Sequence, residues 1–470
     1  MIINLLRGKF NNIVKNGFIW FTVVLAVSLT FGFIIRAFSL HGTSGLFHVE
    51  SLYRTAFISL GVVGLVVVCL ALSYYFLAKR SQHNRWVTVP LIITTTLGII
   101  IPGLAFLYTS GIPYVNVESS RPQLLLGYGT GAHNLPNIMV VAYTSQPTQG
   151  SLIWGINGSH ATLTEDTSKL KHTFFLNNML PATDYWYQFN NGEIYHFETP
   201  SINETNLHFA VFSDTHTGAG NNRKDLTAEM IQQIADPANE FDYFFSAGDL
   251  VEYGFQNKHW HDALEIISPL ASVVPGGFVA GNHETLFTGL SKFYDYLRPD
   301  APEPQNWYRI DTGKVHFLVL DLEWSAESFP EEQTTWLETQ LVSIPSGDWK
   351  IVISHCFFYA SGFRIHGFNW YDNWETIDLY TPIFEKYGID MVFSGHDHHL
   401  EFLQHTGVSY VITGAFGGKP DPERSYTSPV SVWYAQGEYG YADITLTDNI
   451  ANLVFRGPDN EVIKQFTLQK

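Results

Sequence analysis

Leu207-His-Phe-Ala-Val-Phe-Ser213, followed at once by Asp214-Thr-His216, sets the reading of this chain. A short apolar run bounded by turn residues reads as a buried strand, and this one stops on two side chains able to hold a cation. The pattern recurs four times further on. Phe241-Asp-Tyr-Phe-Phe-Ser-Ala247 precedes Gly248-Asp249, and Gly277-Phe-Val-Ala280 precedes Gly281-Asn282-His283-Glu284. Trp349-Lys-Ile-Val-Ile353 precedes Ser354-His355, and Ile389-Asp-Met-Val-Phe-Ser394 precedes Gly395-His396-Asp-His398. Donors at strand ends fall along one rim of a sheet, where open α/β folds place their sites. Asp214, His216, Asp249, Asn282, His355, His396 and His398 together offer hard oxygens and imidazole nitrogens, a set that suits zinc, iron and manganese. One such tripeptide alone is weak evidence. Five in order, each behind a strand-like run, point to a two-metal hydrolase. Helical spacing of apolar residues over 223–235, 256–270, 331–344 and 376–387 alternates with the strands, so the expected fold is a layered α/β sandwich with sheets at its centre.

The order D-x-H, G-D, G-N-H-E, H, G-H-x-H resembles that of the binuclear metallophosphoesterases, the calcineurin-like phosphoesterases, over residues 205–465. Val352-x-x-His355, Tyr359 and the Glu of Gly-Asn-His-Glu284 are similar to the purple acid phosphatase branch. Two positions depart from that branch: His216 stands where it has Gly, and Glu252 where it has Tyr three residues after the bridging Asp. The resemblance implies an α/β/β/α sandwich holding two divalent metal ions (Zn, Mn or Fe). It implies Asp214, His216 and His398 on one ion, Asn282, His355 and His396 on the other, and Asp249 between them. His283 would face the substrate and protonate the leaving oxygen or stabilise the transition state, so His283 and Asp249 are the expected catalytic residues. A carboxylate has two oxygens and can hold two cations about 3.5–4 Å apart. Even one zinc brings the pKa of water from about 15.7 to about 7, and the resulting hydroxide can attack phosphorus in line.

Gly362-Phe-Arg-Ile-His-Gly-Phe-Asn-Trp-Tyr-Asp-Asn-Trp374 is aromatic and lies between two donor segments. Arg364 and His366 there are candidates for contacting a phosphate, and a packed surface loop is the competing reading. The expected reaction is hydrolysis of phosphate monoesters. A phosphodiesterase acting on cyclic nucleotides or lipid head groups is the alternative within enzymes. A catalytically inactive cell-surface binding or adhesion protein is the alternative outside them.

Residues 120–201 change character to short alternating runs broken by turn residues, at 123–127, 137–144, 151–155, 171–177, 184–189 and 194–198. Such spacing predicts a small all-β sandwich. Lys171-His-Thr-Phe-Phe-Leu, followed by Leu180-Pro-Ala-Thr-Asp-Tyr-Trp-Tyr187, resembles the end of a fibronectin type III domain, the kind of domain that precedes the catalytic domain in purple acid phosphatases.

Residues 1–112 differ again. Uncharged apolar runs at 17–35, 55–78 and 86–109 are each long enough for the roughly 20 helical residues that span a bilayer, so three transmembrane helices are expected. Arg7, Lys9 and Lys15, with Lys79, Arg80 and Arg85, would lie on the cytoplasmic side. The N-terminus of this multi-pass cell-membrane protein would then be cytoplasmic and everything after Thr109, with the catalytic domain, extracellular. The whole chain has 26 Lys and Arg against 44 Asp and Glu, and its acids lie almost entirely beyond residue 110. So acidic a domain excludes nucleic-acid binding by phosphate neutralisation. The expected partners are a phosphate ester and the lipid bilayer. Cys69 and Cys356 stand in dissimilar contexts and imply no disulfide.

Overall fold

The computed structural model describes residues 115–202, 205–286, 289–300, 306–326, 330–365 and 368–470. The chain enters through β1 (Gln123–Thr130), β2 (Pro136–Ile156), β3 (Ser159–Leu176), β4 (Thr183–Phe189) and β5 (Ile194–Thr199). Next come β6 (Leu207–Phe212), α1 (Lys224–Ala235), β7 (Tyr243–Ser246), α2 (Asn257–Ala271), β8 (Gly276–Phe278) and α3 (Gly289–Leu297). The second half begins with β9 (Tyr308–Thr312), β10 (Val315–Val319), α4 (Pro330–Ser343) and β11 (Trp349–Ile353). A hairpin of β12 (Phe363–Ile365) and β13 (Phe368–Trp370) leads to α5 (Trp374–Tyr387). The chain closes with β14 (Met391–Ser394), β15 (Leu400–His405), β16 (Val408–Thr413), β17 (Ser431–Ala435), β18 (Tyr441–Leu446), β19 (Ile450–Arg456) and β20 (Val462–Gln469).

Two sheets face each other. One runs β20-β19-β18-β6-β7-β8-β1-β2-β4-β5 with β3 also paired to β2, and the other runs β17-β15-β16-β14-β11-β10-β9. Aromatic side chains fill the space between them. Phe317 meets Phe209 edge-on at 5.2 Å and Phe245 at 4.5 Å, while Phe393 approaches Phe209 at 6.1 Å. A buried Phe contributes about 1.5–3 kcal/mol, so this double-faced core is a main source of cohesion. The outer faces are covered by helices. Met230, Ile231, Trp260, Leu264 and Ile267 pack on the first sheet, and Leu337, Leu341, Tyr380 and Phe384 on the second. The helices at 224–235, 257–271, 330–343 and 374–387 fall within two residues of their expected limits. Two central sheets with helices outside agree with the layered α/β sandwich expected from alternating strand and helix periodicity, and with the order that the resemblance implies.

The β-rich segment differs from its expected form in how it pairs. The runs at 137–144 and 151–155 are one 21-residue strand, β2, whose ladder with β3 shifts register between Tyr143 and Thr148. β1 pairs antiparallel with β2 and, at Leu125↔Gly276, parallel with β8. The segment thus continues the first sheet rather than stopping at its edge.

The expectation of three transmembrane helices, and of a multi-pass membrane location resting on them, is corrected here. Among the described residues no helix is long and apolar enough to cross a membrane. The longest, α2, has 15 residues and carries Lys258, Asp262 and Glu265, short of the roughly 20 apolar residues a hydrocarbon core demands. The apolar runs at 17–35, 55–78 and 86–109 lie outside the described residues.

Candidate metal centre

β6, β7 and β8 run parallel in one sheet and β10, β11, β14 and β16 in the other. The seven donor residues sit just beyond the C-terminal ends of β6, β7, β8, β11 and β14, so the two sheets deliver them to one rim. The turns that carry them are tight. Asp214, His216, Asp249 and His396 adopt φ of 61°, 47°, 52° and 70°, a left-handed region uncommon for residues other than glycine and frequent at functional sites. Glycine at 281 and 395 is explained by close approach. A Cβ at Gly281 would collide with Oδ1 of Asp249, and one at Gly395 with Oδ2 of Asp214.

All seven expected donors converge, in two groups. In the first, His216 Nε2 and His398 Nε2 lie 3.0 Å apart, and Asp214 Oδ1 is 3.6 Å from the former and 3.3 Å from the latter. In the second, Asn282 Oδ1 is 2.9 Å from His355 Nε2 and 2.8 Å from His396 Nδ1, which are themselves 3.1 Å apart. Asp249 lies between the groups. Its Oδ2 is 3.5 Å from His216 Nε2 and 3.4 Å from His355 Nε2, while Oδ1 accepts the backbone N–H of His283. A single oxygen, not both, therefore faces the two groups.

The protonation pattern suits a cation. Carbonyl and carboxylate oxygens only accept, so a ring nitrogen bonded to one must carry its proton. His216 Nδ1 donates to Glu252 Oε2 at 2.8 Å, His355 Nδ1 to the Ala247 carbonyl at 2.9 Å, and His398 Nδ1 to the Lys419 carbonyl at 2.6 Å. With a metal ion bound, each ring would be neutral and turn the lone pair of Nε2 into the centre. Lone pairs about 3 Å apart repel unless a cation lies among them, and a backing acceptor of this kind is the usual support of a metal-bound histidine. Asp214 Oδ1 is buried without a hydrogen-bond partner, an arrangement that costs about 1–3 kcal/mol for an unpaired group. The field agrees. Burial lowers the proton affinity of His355, yet the charge and hydrogen bond of Asp249 outweigh burial and raise its pKa to about 9. A field that draws a proton into a dry site draws a metal ion too. Burial and the neighbouring His355 hold His396 at about 3, so its ring stays neutral and able to donate a lone pair. The residues present fit two metal ions.

His283 sits beside the first group, its ring 4.5 Å from that of His216 and its Nδ1 donating to the Glu252 carbonyl at 2.6 Å. Glu284 is buried behind the donor turns. Its carboxylate accepts the backbone N–H of Asp249, Gly281 and Val251 and clasps two donor turns together. Arg364 is exposed on β12, and His366 lies outside the described residues. The β12–β13 hairpin meets the centre through Trp370, stacked on His396 at 5.2 Å, with Trp324 edge-on to the same ring at 5.1 Å. Neither tryptophan has a motif around it. For Trp370 the one sequence signal was the aromatic composition of 362–374.

A two-sheet α/β sandwich whose parallel strands end on a paired Asp/Asn/His cluster defines a candidate binuclear metallohydrolase. Residues 207–400 match the family model of the calcineurin-like phosphoesterases. Purple acid phosphatase 18 of Arabidopsis thaliana is 22% identical over 66% of this chain and 72% of its own length. From the same plant, the Fe(3+)-Zn(2+) purple acid phosphatase 12 is 25% identical over 41% of this chain and 42% of its own. The probable inactive purple acid phosphatase 1 is 23% identical over 64% of this chain and 57% of its own. Of that relative and of a second one of the same kind, this chain spans little more than half the length, 57% and 53%. The purple acid phosphatase from yellow lupin (Lupinus luteus) seeds superposes with a TM-score of 0.63 at 20% identity, over 76% of this chain and 75% of that one, and shares the fold. The chain carries a calcineurin-like metallophosphoesterase domain and is related to the purple acid phosphatases.

Proposed function

We propose that this protein is a two-metal phosphoesterase that hydrolyses phosphate monoesters. The observation that carries the reading is the convergence of all seven donors in two groups that share Oδ2 of Asp249. Asp214, His216 and His398 would hold one ion, Asn282, His355 and His396 the other, and Asp249 both. Divalent ions bound there would supply Lewis acidity toward a phosphate oxygen and an attacking water.

The chain's own groups do the rest. His283 Nδ1 is committed to the Glu252 carbonyl, so Nε2 is the remaining nitrogen, and only the imidazolium, with a proton on each nitrogen, can hand one to the leaving oxygen or hydrogen-bond the developing charge. Trp370, Trp324 and Phe357 surround His396 and keep water from that side of the centre. The Cys356 thiol is buried against the Trp324 carbonyl and has no part as a nucleophile in a direct displacement by water.

The preference for monoesters takes support from relatives named as phosphatases. A binding protein without activity is the reading that the relatives named as inactive would favour, and the complete donor set argues against it. Purified protein loaded with zinc, manganese or iron decides, by turnover of nitrophenyl phosphate and bis-nitrophenyl phosphate with and without a chelator. Faster, chelator-sensitive monoester hydrolysis is expected. A diester preference would make it a phosphodiesterase, and two bound metals without turnover of either would make it a binding protein.

A further inference from the structure

One carboxylate outside the seven donors touches both kinds of histidine in the centre. Glu252 lies three residues beyond Asp249, and its backbone N–H is held by the Thr217 carbonyl at 3.0 Å. That bond fixes it against the turn that carries His216. Its Oε2 accepts His216 Nδ1–H at 2.8 Å and stands 3.8 Å from His283 Nδ1, and its carbonyl takes the proton of His283 Nδ1 at 2.6 Å. His216, Glu252 and His283 each offer an atom within 4.8 Å of the others. The next residue, Tyr253, turns aside, its ring stacked on those of Phe255 and His259 at 5.5 Å.

We propose that Glu252 is the positioning residue of this centre. Its carboxylate fixes the tautomer and tilt of His216, and its carbonyl fixes His283, so that one residue aims a metal-holding nitrogen and a substrate-facing nitrogen. The inference rests on the two-metal reading above. A carboxylate behind an imidazole raises the basicity of the far nitrogen and holds the ring in plane, and losing such a partner commonly costs 10–100-fold in metal affinity. With its side chain 21% exposed, Glu252 can be replaced without opening a core cavity. Its effect falls on the first group, because in the second the ring of His355 is backed by the Ala247 carbonyl instead.

The test compares the full-length protein with Glu252→Ala and Glu252→Gln. Zinc affinity of each equivalent is measured by chelator competition, and the cobalt-substituted proteins are compared by visible spectroscopy. In Glu252→Ala one equivalent should weaken by about 10–100-fold, with a changed cobalt spectrum, while the other equivalent is unmoved. Glu252→Gln keeps an oxygen acceptor without the charge and should recover part of the loss. Wild-type affinity for both equivalents in both variants would overturn the proposal. So would outright loss of one equivalent in both, which would make Glu252 a ligand itself. Wild-type protein that binds no zinc would instead overturn the two-metal reading beneath it.

Discussion

In the proposed reaction His283 would transfer a proton without holding a metal. It follows Asn282 in the chain but is tied by its ring to Glu252 rather than to the donor cluster. His283→Ala should therefore retain its metals and lose about 10²–10⁴ in rate, the range for general acid–base catalysis. The loss should shrink for a nitrophenolate leaving group, which needs no proton, and grow for an alkoxide. Equal losses on both would assign the residue to charge stabilisation alone. Glu252 also bears on colour. The position that resembles the tyrosine ligand of the purple branch carries a carboxylate here, and Tyr253 packs elsewhere. Protein with its native metals should lack an intense tyrosinate-to-iron band in the visible spectrum, and such a band that vanishes in Tyr253→Phe would contradict this. The seven candidate donors could be picked out in the sequence because each follows an apolar run by one to four residues. The contacts of Glu252 with His216, and of Glu284 with Asp249 and Val251, could not, because they join residues 36, 35 and 33 positions apart.

At the scale of elements, β18 joins the last hairpin to β6, the strand that ends on Asp214. Asp443 on β18 is buried and accepts from His208 Nε2 at 2.7 Å and from Arg456 Nε. Burial alone would raise its pKa, but the hydrogen bonds from His208 and Arg456 outweigh it and hold the carboxyl below its ordinary value. A lowered folded pKa gives stability that is present above the unfolded value, about 3.9, and lost as pH falls through the folded one. In metal-free protein, Asp443→Asn should cost about 1.5–3 kcal/mol at pH 7 and lessen the loss of stability on acidification below about pH 4. Thermal midpoints between pH 3 and 7 measure both, and a variant that tracks wild type throughout would contradict the assignment. The strands that carry the site could be read from apolar runs with turn residues behind them. The parallel contact of β1 with β8 could not, since it joins segments some 150 residues apart and only backbone pairing records it. α3, at Gly289–Leu297, was also missed, being a nine-residue helix too short to display its period.

For the whole molecule, composition separated an apolar, basic N-terminal stretch from an acidic remainder, but the three membrane spans built on that stretch find no support among the described helices. Hydropathy speaks only to the solvent a segment tolerates. The fold of the acidic part depends instead on two sheets meeting at one rim, and the central claim is that this rim holds two metal ions around Asp249. Anomalous diffraction from crystals of metal-loaded protein, collected at the absorption edge of the bound metal, tests it most directly. Two peaks about 3.5–4 Å apart should flank Oδ2 of Asp249, one among Asp214, His216 and His398 and the other among Asn282, His355 and His396, and at least one should be lost in Asp249→Asn. A single peak, or metal bound away from these residues, would contradict the account.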